Sequence, residues 1–323
     1  MKKRFLTASL LFIILLPAIL IPQLARVLDI FFMFAVIVGT IELLNMYDKE
    51  KRIPIPIKIT VVVLMFGLYL SIINFFCEKT SRDGNLGYGG ESYMMGLINL
   101  LHLENILHPT VMLMISIIVL LSLLVLDNDF TVGDLGKMFV AIMYIAVCGG
   151  AVTVLKYFGT RFIVYLVTIT VSTDMFALIF GVKFGKHKMA PQISPKKTWE
   201  GAIGGTAVAT ILGTVIVLTY SQFAHVFHNG AVNEIFDNIF MYKNFKPIGK
   251  VAFPIVLTIF LSVCSQIGDL VASKLKRNYG IKDYSNIFPG HGGILDRFDS
   301  LFFASAIFLL FLLIEMNLFP WVA

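Results

Sequence analysis

Residues 109–126 read PTVMLMISIIVLLSLLVL. Eighteen residues pass without one charge, and only Thr110, Ser116 and Ser122 carry polar side chains. A bilayer hydrocarbon core of roughly 30 Å takes about 20 apolar residues as a helix. Lipid offers the backbone no partners, so such a run satisfies its own N–H and C=O groups helically. Outward from it the pattern recurs at 5–22, 27–47, 57–75, 137–155, 162–181, 201–222, 250–272 and 300–320. The expected fold is an all-α polytopic membrane protein of about nine transmembrane helices. Composition agrees: 58% of the 323 residues are hydrophobic, 14% are charged, and the mean hydropathy is +0.85. Soluble domains carry about 25% charged residues. No internal repeat or low-complexity linker divides the chain, so residues 1–323 read as a single membrane domain. Within it, 1–160 reads as the N-terminal transmembrane helices and 161–323 holds the polar clusters.

The net charge of +6 is spread over short loops between apolar runs. There it orients a membrane protein, and no basic face offers itself to nucleic acid. With the N-terminus in the cytoplasm, the cytoplasmic pieces 1–4, 48–56, 127–136, 182–200 and 273–299 hold sixteen Lys and Arg against eight opposite. This predicts an N-in, C-out topology and brings loops 182–200 and 273–299 to the same cytoplasmic side. Cys77, Cys148 and Cys264 form no CxxC pair and read as reduced packing residues. The N-terminal MKKRFLTASLLFIILLPAILIP lacks a small-residue cleavage site and reads as an uncleaved first span.

The densest polar stretch is SQIGDLVASKLKRNYGIKDYSNIFPGHGGILDRFDS, residues 265–300. On a helix Asp269, Ser273 and Lys276 fall at i, i+4 and i+7 and share a face. Asp296 and Asp299, at i and i+3, converge at the start of the last span. Carboxylates inside a membrane are expensive and face a partner or a polar cavity. Two near one point make a hard oxygen site of the kind Mg2+ takes, with waters and phosphates completing its shell. Gly290, Gly292 and Gly293 allow a tight turn and close approach to a ligand. Lys276, Arg277, Lys282 and Arg297 add positive charge for an anion. The combination suits phosphoryl-type chemistry, in which positioning and charge neutralisation carry catalysis. A blander reading makes Asp299 a helix-capping or ion-paired residue, and His291 either an idle loop residue or a phosphate donor.

The second cluster is STDMFALIFGVKFGKHKMAPQISPKKTWEGAIGG, residues 172–205. Lys183, Lys186 and Lys188 fit ordinary positive-inside charge. SPKKTWEG reads as a compact turn before a glycine-rich helix start, where Ser194, Thr198 and backbone N–H groups can hold phosphates and Lys196 and Lys197 add charge. Glu42 and Glu315 read as buried hydrogen-bonded groups or interfacial ones. Asp174 and Asp269, taken alone, also fit the ion-coupling carboxylates of a transporter, although no repeat symmetry or paired interrupted helices accompany them.

Taken together, residues 273–299 resemble the phosphatidate cytidylyltransferases, or CDP-diacylglycerol synthases. They hold that family's S-x-L-K-R, K-D, P-G-H-G-G and D-R-x-D elements in order and at its spacing. FGKHKMAPQISPKKTWEG, residues 184–201, is similar to a second region of the family. The resemblance implies that 161–323 is the catalytic transmembrane region. It implies that CTP and phosphatidic acid give CDP-diacylglycerol and pyrophosphate with Mg2+, a second cation such as K+ being a further candidate. Asp269 and Asp296 would be the principal metal ligands, with Asp299 nearby. Catalysis would rest on Asp269, Asp296, Lys276 and Arg297. Substrate binding would fall to Ser194, Lys196, Lys197, Thr198, Ser273, Arg277, Lys282, His291, Gly292 and Gly293. The resemblance also implies a homodimer in the lipid bilayer, placed in the cell's inner membrane with the site facing the cytoplasm. A related transferase acting on another lipid phosphate is the nearest alternative. A CDP-alcohol phosphatidyltransferase is disfavoured because its D-x-x-D-G-x-x-A-R pattern is missing. Two departures stand out: Ala272 replaces the Glu common before the S-x-L-K-R serine, and Gly181-Val182-Lys183 replaces a common Gly-Arg pair.

Overall fold

The computed structural model describes residues 25–82, 107–223, 234–237, 239–287 and 292–318, together with residue 17. The expected first span over 5–22 and His291 lie outside these described residues. The other eight expected spans are all present as helices long and apolar enough to cross a membrane. In chain order the helices are α1 (Ala25–Tyr47), α2 (Ile55–Arg82), α3 (Pro109–Leu126), α4 (Val132–Phe158) and α5 (Thr160–Phe184). Strands β1 (Lys188–Ala190) and β2 (Ser194–Thr198) follow, then α6 (Trp199–Phe223), α7 (Phe240–Lys243), α8 (Pro247–Asn278) and α9 (Leu295–Leu318). The chain is a multi-pass membrane protein.

Burial sorts the spans. In α4, 72% of the membrane-crossing window is buried, against 11% in α3. So α4 is the axis of the bundle, packed on α1, α2, α5 and α9, while α3 leans on its edge and faces lipid. Their starts also differ. Thr131 opens α4 with a capping box: its hydroxyl accepts from the Asp134 N–H, and Asp134 accepts from the Thr131 N–H. Pro109 opens α3 at a position whose N–H has no helical partner anyway.

The tightest pairing joins α5 to α6. Gly201 and Gly205, one turn apart, lie against the Ala177 and Thr173 carbonyls, and a Cβ at either position would come within 2.6 Å or less of those oxygens. Small residues let membrane helices approach where lipid gives no hydrophobic drive. Beneath the polar end, side chains bind α5, α6 and α8 together. Ser262 Oγ lies 2.8 Å from Thr173 Oγ1 and 3.0 Å from Thr206 Oγ1, and Gln266 Nε2 donates to Thr206 Oγ1 at 2.9 Å.

Two features differ from the sequence reading. Residues 188–198 form an antiparallel hairpin, pairing Lys188 with Thr198 and Ala190 with Ser194, where a compact turn was expected. And α8 runs on to Asn278 and α9 begins at Leu295, past the expected bounds 272 and 300, so Ser273, Lys276, Arg277, Asp296 and Asp299 stand on the helices that their spacing assumed. Hydropathy marks where lipid ends, not where the helical backbone does. One end of the bundle gathers the connections 48–54, 127–131 and 185–198 and the described residues 279–287 and 292–294. Lys137 meets Glu50 there at 2.9 Å, and the Tyr47 and Tyr279 rings lie 5.2 Å apart.

Candidate active site

The site lies at that end, where the C-terminal part of α8, the start of α9 and the hairpin meet. The expected shared face on α8 exists in part. Ser273 Oγ donates to Asp269 Oδ1 at 3.3 Å. Lys276 turns toward α9 and meets Asp296 Oδ1 at 2.6 Å, with both side chains more than 90% buried. The other Asp296 oxygen accepts from the backbone N–H groups of Tyr284 at 2.8 Å and Gly293 at 2.9 Å. Asp296 is therefore held by one cation and two peptide dipoles. Asp269 faces the hairpin, where Lys197 meets its Oδ2 at 2.5 Å; this pair is about a quarter exposed.

Asp299 is buried one turn beyond Asp296, and its carbonyl lies beside Gly268. The carboxylates of Asp174, Asp269 and Asp299 interact repulsively with one another, while Lys197 and Arg297 act on Asp174 and Lys276 on Asp299. Ser300 Oγ donates to Asp174 Oδ2 at 3.1 Å. Asp174 thus joins the same cluster, which argues against its serving a separate ion path through the bundle. Among the described residues no three His, Cys, Asp or Glu side chains converge to cage a metal. A hard cation held by one or two carboxylates plus phosphate oxygens needs no cage, and this excess of negative charge around Asp269 fits one.

The glycine loop is less open than the sequence implied. Gly292 has φ +85°, the left-handed region that favours glycine, and a Cβ there would come within 2.8 Å of Asp296 Oδ2. The Gly293 N–H is already engaged by Asp296. The next two N–H groups, those of Ile294 and Leu295, donate to Glu42 on α1. Of the two readings open for Glu42, the structure shows the buried hydrogen-bonded one; what sequence reasoning missed was its link to the 292–295 turn. A lone carboxylate in an apolar span was the available signal, but not its partner.

The hairpin is similarly occupied. Thr198 is buried, and its hydroxyl accepts from the Gly201 N–H at 3.2 Å, capping α6. The Glu200 carboxylate accepts from the Lys186 and His187 N–H groups and contacts His187 Nδ1 at 2.6 Å. Arg277 donates from Nη1 to the Ile281 carbonyl at 2.7 Å and from Nε to the Ile193 carbonyl at 3.3 Å, tying hairpin to α8. Lys196 and Lys282 are exposed and enter no ion pair among the described residues. Ser194 is half-buried on β2. Burial, with Asp299 and Asp296 nearby, pushes the Tyr284 phenol above its usual range. It stays neutral, stacked under Lys276 Nζ at 5.1 Å.

A groove of about 530 Å³ runs between α6 and α8. Met189 and Trp199 stand at one end, and Ile203, Ala207, Ile259 and Val263 line it.

Comparison with known proteins gives the family. Residues 2–315 match the model of the cytidylyltransferase family. The chain is 33% identical over 316 residues to the phosphatidate cytidylyltransferase of Bacillus subtilis (strain 168), covering 97% of each chain. It is 35% identical over 189 residues to that of Staphylococcus haemolyticus, covering 58% of this chain and 63% of that one. It is 38% identical over 154 residues to that of Brucella abortus, covering 48% and 47%. The chain belongs to the cytidylyltransferase family.

Proposed function

We propose that this family member transfers the cytidylyl group of CTP to phosphatidic acid, giving CDP-diacylglycerol and pyrophosphate. The observation that carries the reading is the end-to-end similarity to the Bacillus subtilis enzyme of that name. The acceptor phosphate oxygen attacks the α-phosphorus of CTP, the α–β bridging P–O bond breaks, and pyrophosphate leaves. Phosphatidate is already ionised at neutral pH, so no general base is required. That agrees with a neutral Tyr284.

Charge placement divides the work. Lys276 and the Tyr284 and Gly293 N–H groups hold Asp296 in one orientation. Lys197, half-open and paired only across the hairpin, exchanges Asp269 for a substrate phosphate. Lys196, Lys282 and Arg297, all exposed, are the further phosphate-binding cations. Asp269, whose pair is half-open, would hold Mg2+ together with substrate phosphate oxygens; Asp296, engaged by Lys276 and two N–H groups, and the buried Asp299 would add negative charge beside it, with room for a second cation such as K+. When bound, the metal would neutralise the triphosphate and the departing pyrophosphate. The groove beside Trp199 gives an acyl chain a path from the bilayer to the Lys197–Asp269 pair. The charge bias between loops supports a cytoplasmic site in the cell's inner membrane.

The test uses detergent-purified protein with radiolabelled CTP, phosphatidic acid and Mg2+. Wild type yields lipid-soluble label, while Asp269→Asn and Asp296→Asn yield little. No label from wild type across several lipid phosphates and metals would overturn the reading.

A further inference from the structure

Glu42 sits on α1, in the half of the chain that carries no motif. It is 2% exposed. Oε1 accepts from Ser285 Oγ at 2.5 Å and from the Ile294 N–H at 3.0 Å, and Oε2 accepts from the Leu295 N–H at 2.8 Å. One carboxylate therefore holds three donors from a segment about 250 residues away. The donors bracket the 285–295 stretch: Ser285 enters it, and Ile294 and Leu295 begin α9.

Physical chemistry fixes what this does. The first N–H groups of a helix have no partner within it and carry its positive end. On α9 Glu42 takes the Leu295 N–H and that of Ile294 just before it, so a carboxylate of the protein already sits at this end, and phosphate binding falls to the side-chain cations. Asp296 follows Leu295 directly, and Gly293, which donates to Asp296, precedes Ile294. A Cβ on Gly293 would collide with the Glu42 carboxylate, so the loop backbone is in direct contact with it. The neighbouring Leu43 and Leu44 are fully buried and Phe31 of α1 packs on Phe298 at 5.6 Å, which anchors α1 against α9.

We propose that Glu42 is a positioning residue for the transfer reaction: it latches Ser285 and the start of α9, at Ile294 and Leu295, onto α1 and so sets how α9 holds Asp296. The inference rests on the proposed function for its reaction, and on geometry alone for the latch. Charged hydrogen bonds in a dry setting are the strong kind, and a displacement of about 1 Å at reacting groups can cost on the order of 100-fold in rate.

Glu42→Gln tests it. The amide keeps size and shape but offers one acceptor and an NH2 group to three donors. Expected are a fall in kcat of about 10- to 100-fold and a KM for CTP within about threefold of wild type. Faster hydrogen exchange is expected in peptides containing Ile294 and Leu295. Ser285→Ala, which removes one bond of the three, gives a smaller change in the same direction. Val36→Ala supplies the control: it is a buried cavity variant on the same helix, and its side chain packs on Gly149 of α4. It should lower the thermal midpoint while leaving kcat and exchange at Ile294 near wild type. Unchanged kcat and exchange in Glu42→Gln would overturn the proposal. So would equal kcat losses in Glu42→Gln and Val36→Ala at matched midpoints. If wild type makes no CDP-lipid, the reaction reading fails by itself, and the exchange measurement still decides the latch.

Discussion

Two lysine–aspartate pairs frame the site, and they differ in how much water reaches them. Lys276 and Asp296 join α8 to α9 with side chains 9% and 3% exposed. Lys197 and Asp269 join the hairpin to α8 with side chains 27% and 28% exposed. The same two chemical groups serve different ends. A buried pair cannot be opened cheaply, because each partner left alone is an uncompensated charge. A half-open pair is worth little and is readily exchanged. The first is therefore the frame that aims Asp296, and the second is the contact a phosphate or cation displaces.

The sharpest way to break this comparison is to remove each lysine in turn. Lys276→Met should strand Asp296 and cost about 3–5 kcal/mol of stability, read as a large drop in thermal midpoint in detergent, with activity lost. Lys197→Met should leave the midpoint nearly unchanged, since its pair is worth about 0–1 kcal/mol. Its CTP-dependent label incorporation should still fall on the order of 100-fold, the effect of losing one preorganised charge contact. Equal midpoint losses in the two variants would erase the distinction. Gly293→Ala sharpens the buried side: its new Cβ meets Glu42, and overpacking of this kind costs about 1–3 kcal/mol, checked by thermal unfolding. The smallest effect belongs to the half-open side. Ala207→Phe narrows the groove and should raise KM for long-chain phosphatidate severalfold, the discrimination a hydrophobic pocket can supply. KM for a dihexanoyl substrate should stay the same. Parallel titrations with the two lipids decide this.

Much of this was legible in the residues. Charge-free runs such as 109–126 located the spans, because lipid punishes every unpaired polar group alike. The i, i+4 spacing of Asp269 and Ser273 foretold their hydrogen bond, since helix geometry is local. The charge bias put loops 182–200 and 273–299 on one side, and the bond from Arg277 to the Ile193 carbonyl joins them. What stayed hidden was non-local. The hairpin at 188–198 is short, lysine-rich and interrupted by Pro195, so it lacks a strand's composition. It is held from outside by Trp199 N–H donating to the His187 carbonyl and by Arg277. Glu42 showed only that it needed a partner, and the partner lay beyond any window of sequence. Lys276 pointed to a phosphate on charge alone, while the fold turned it onto Asp296.

One small feature bears on how the protein is made. Gly159, at φ +144°, is all that separates α4 from α5. A ribosome therefore delivers both spans with no tether long enough for one to settle before the other, and the insertion machinery must accept them as a single folded-back unit. Lys156 lies at the crown of that unit and ends buried against Asp29 at 2.5 Å. Asp29 was synthesised 127 residues earlier, so the counter-charge is waiting in the bilayer when the cation arrives.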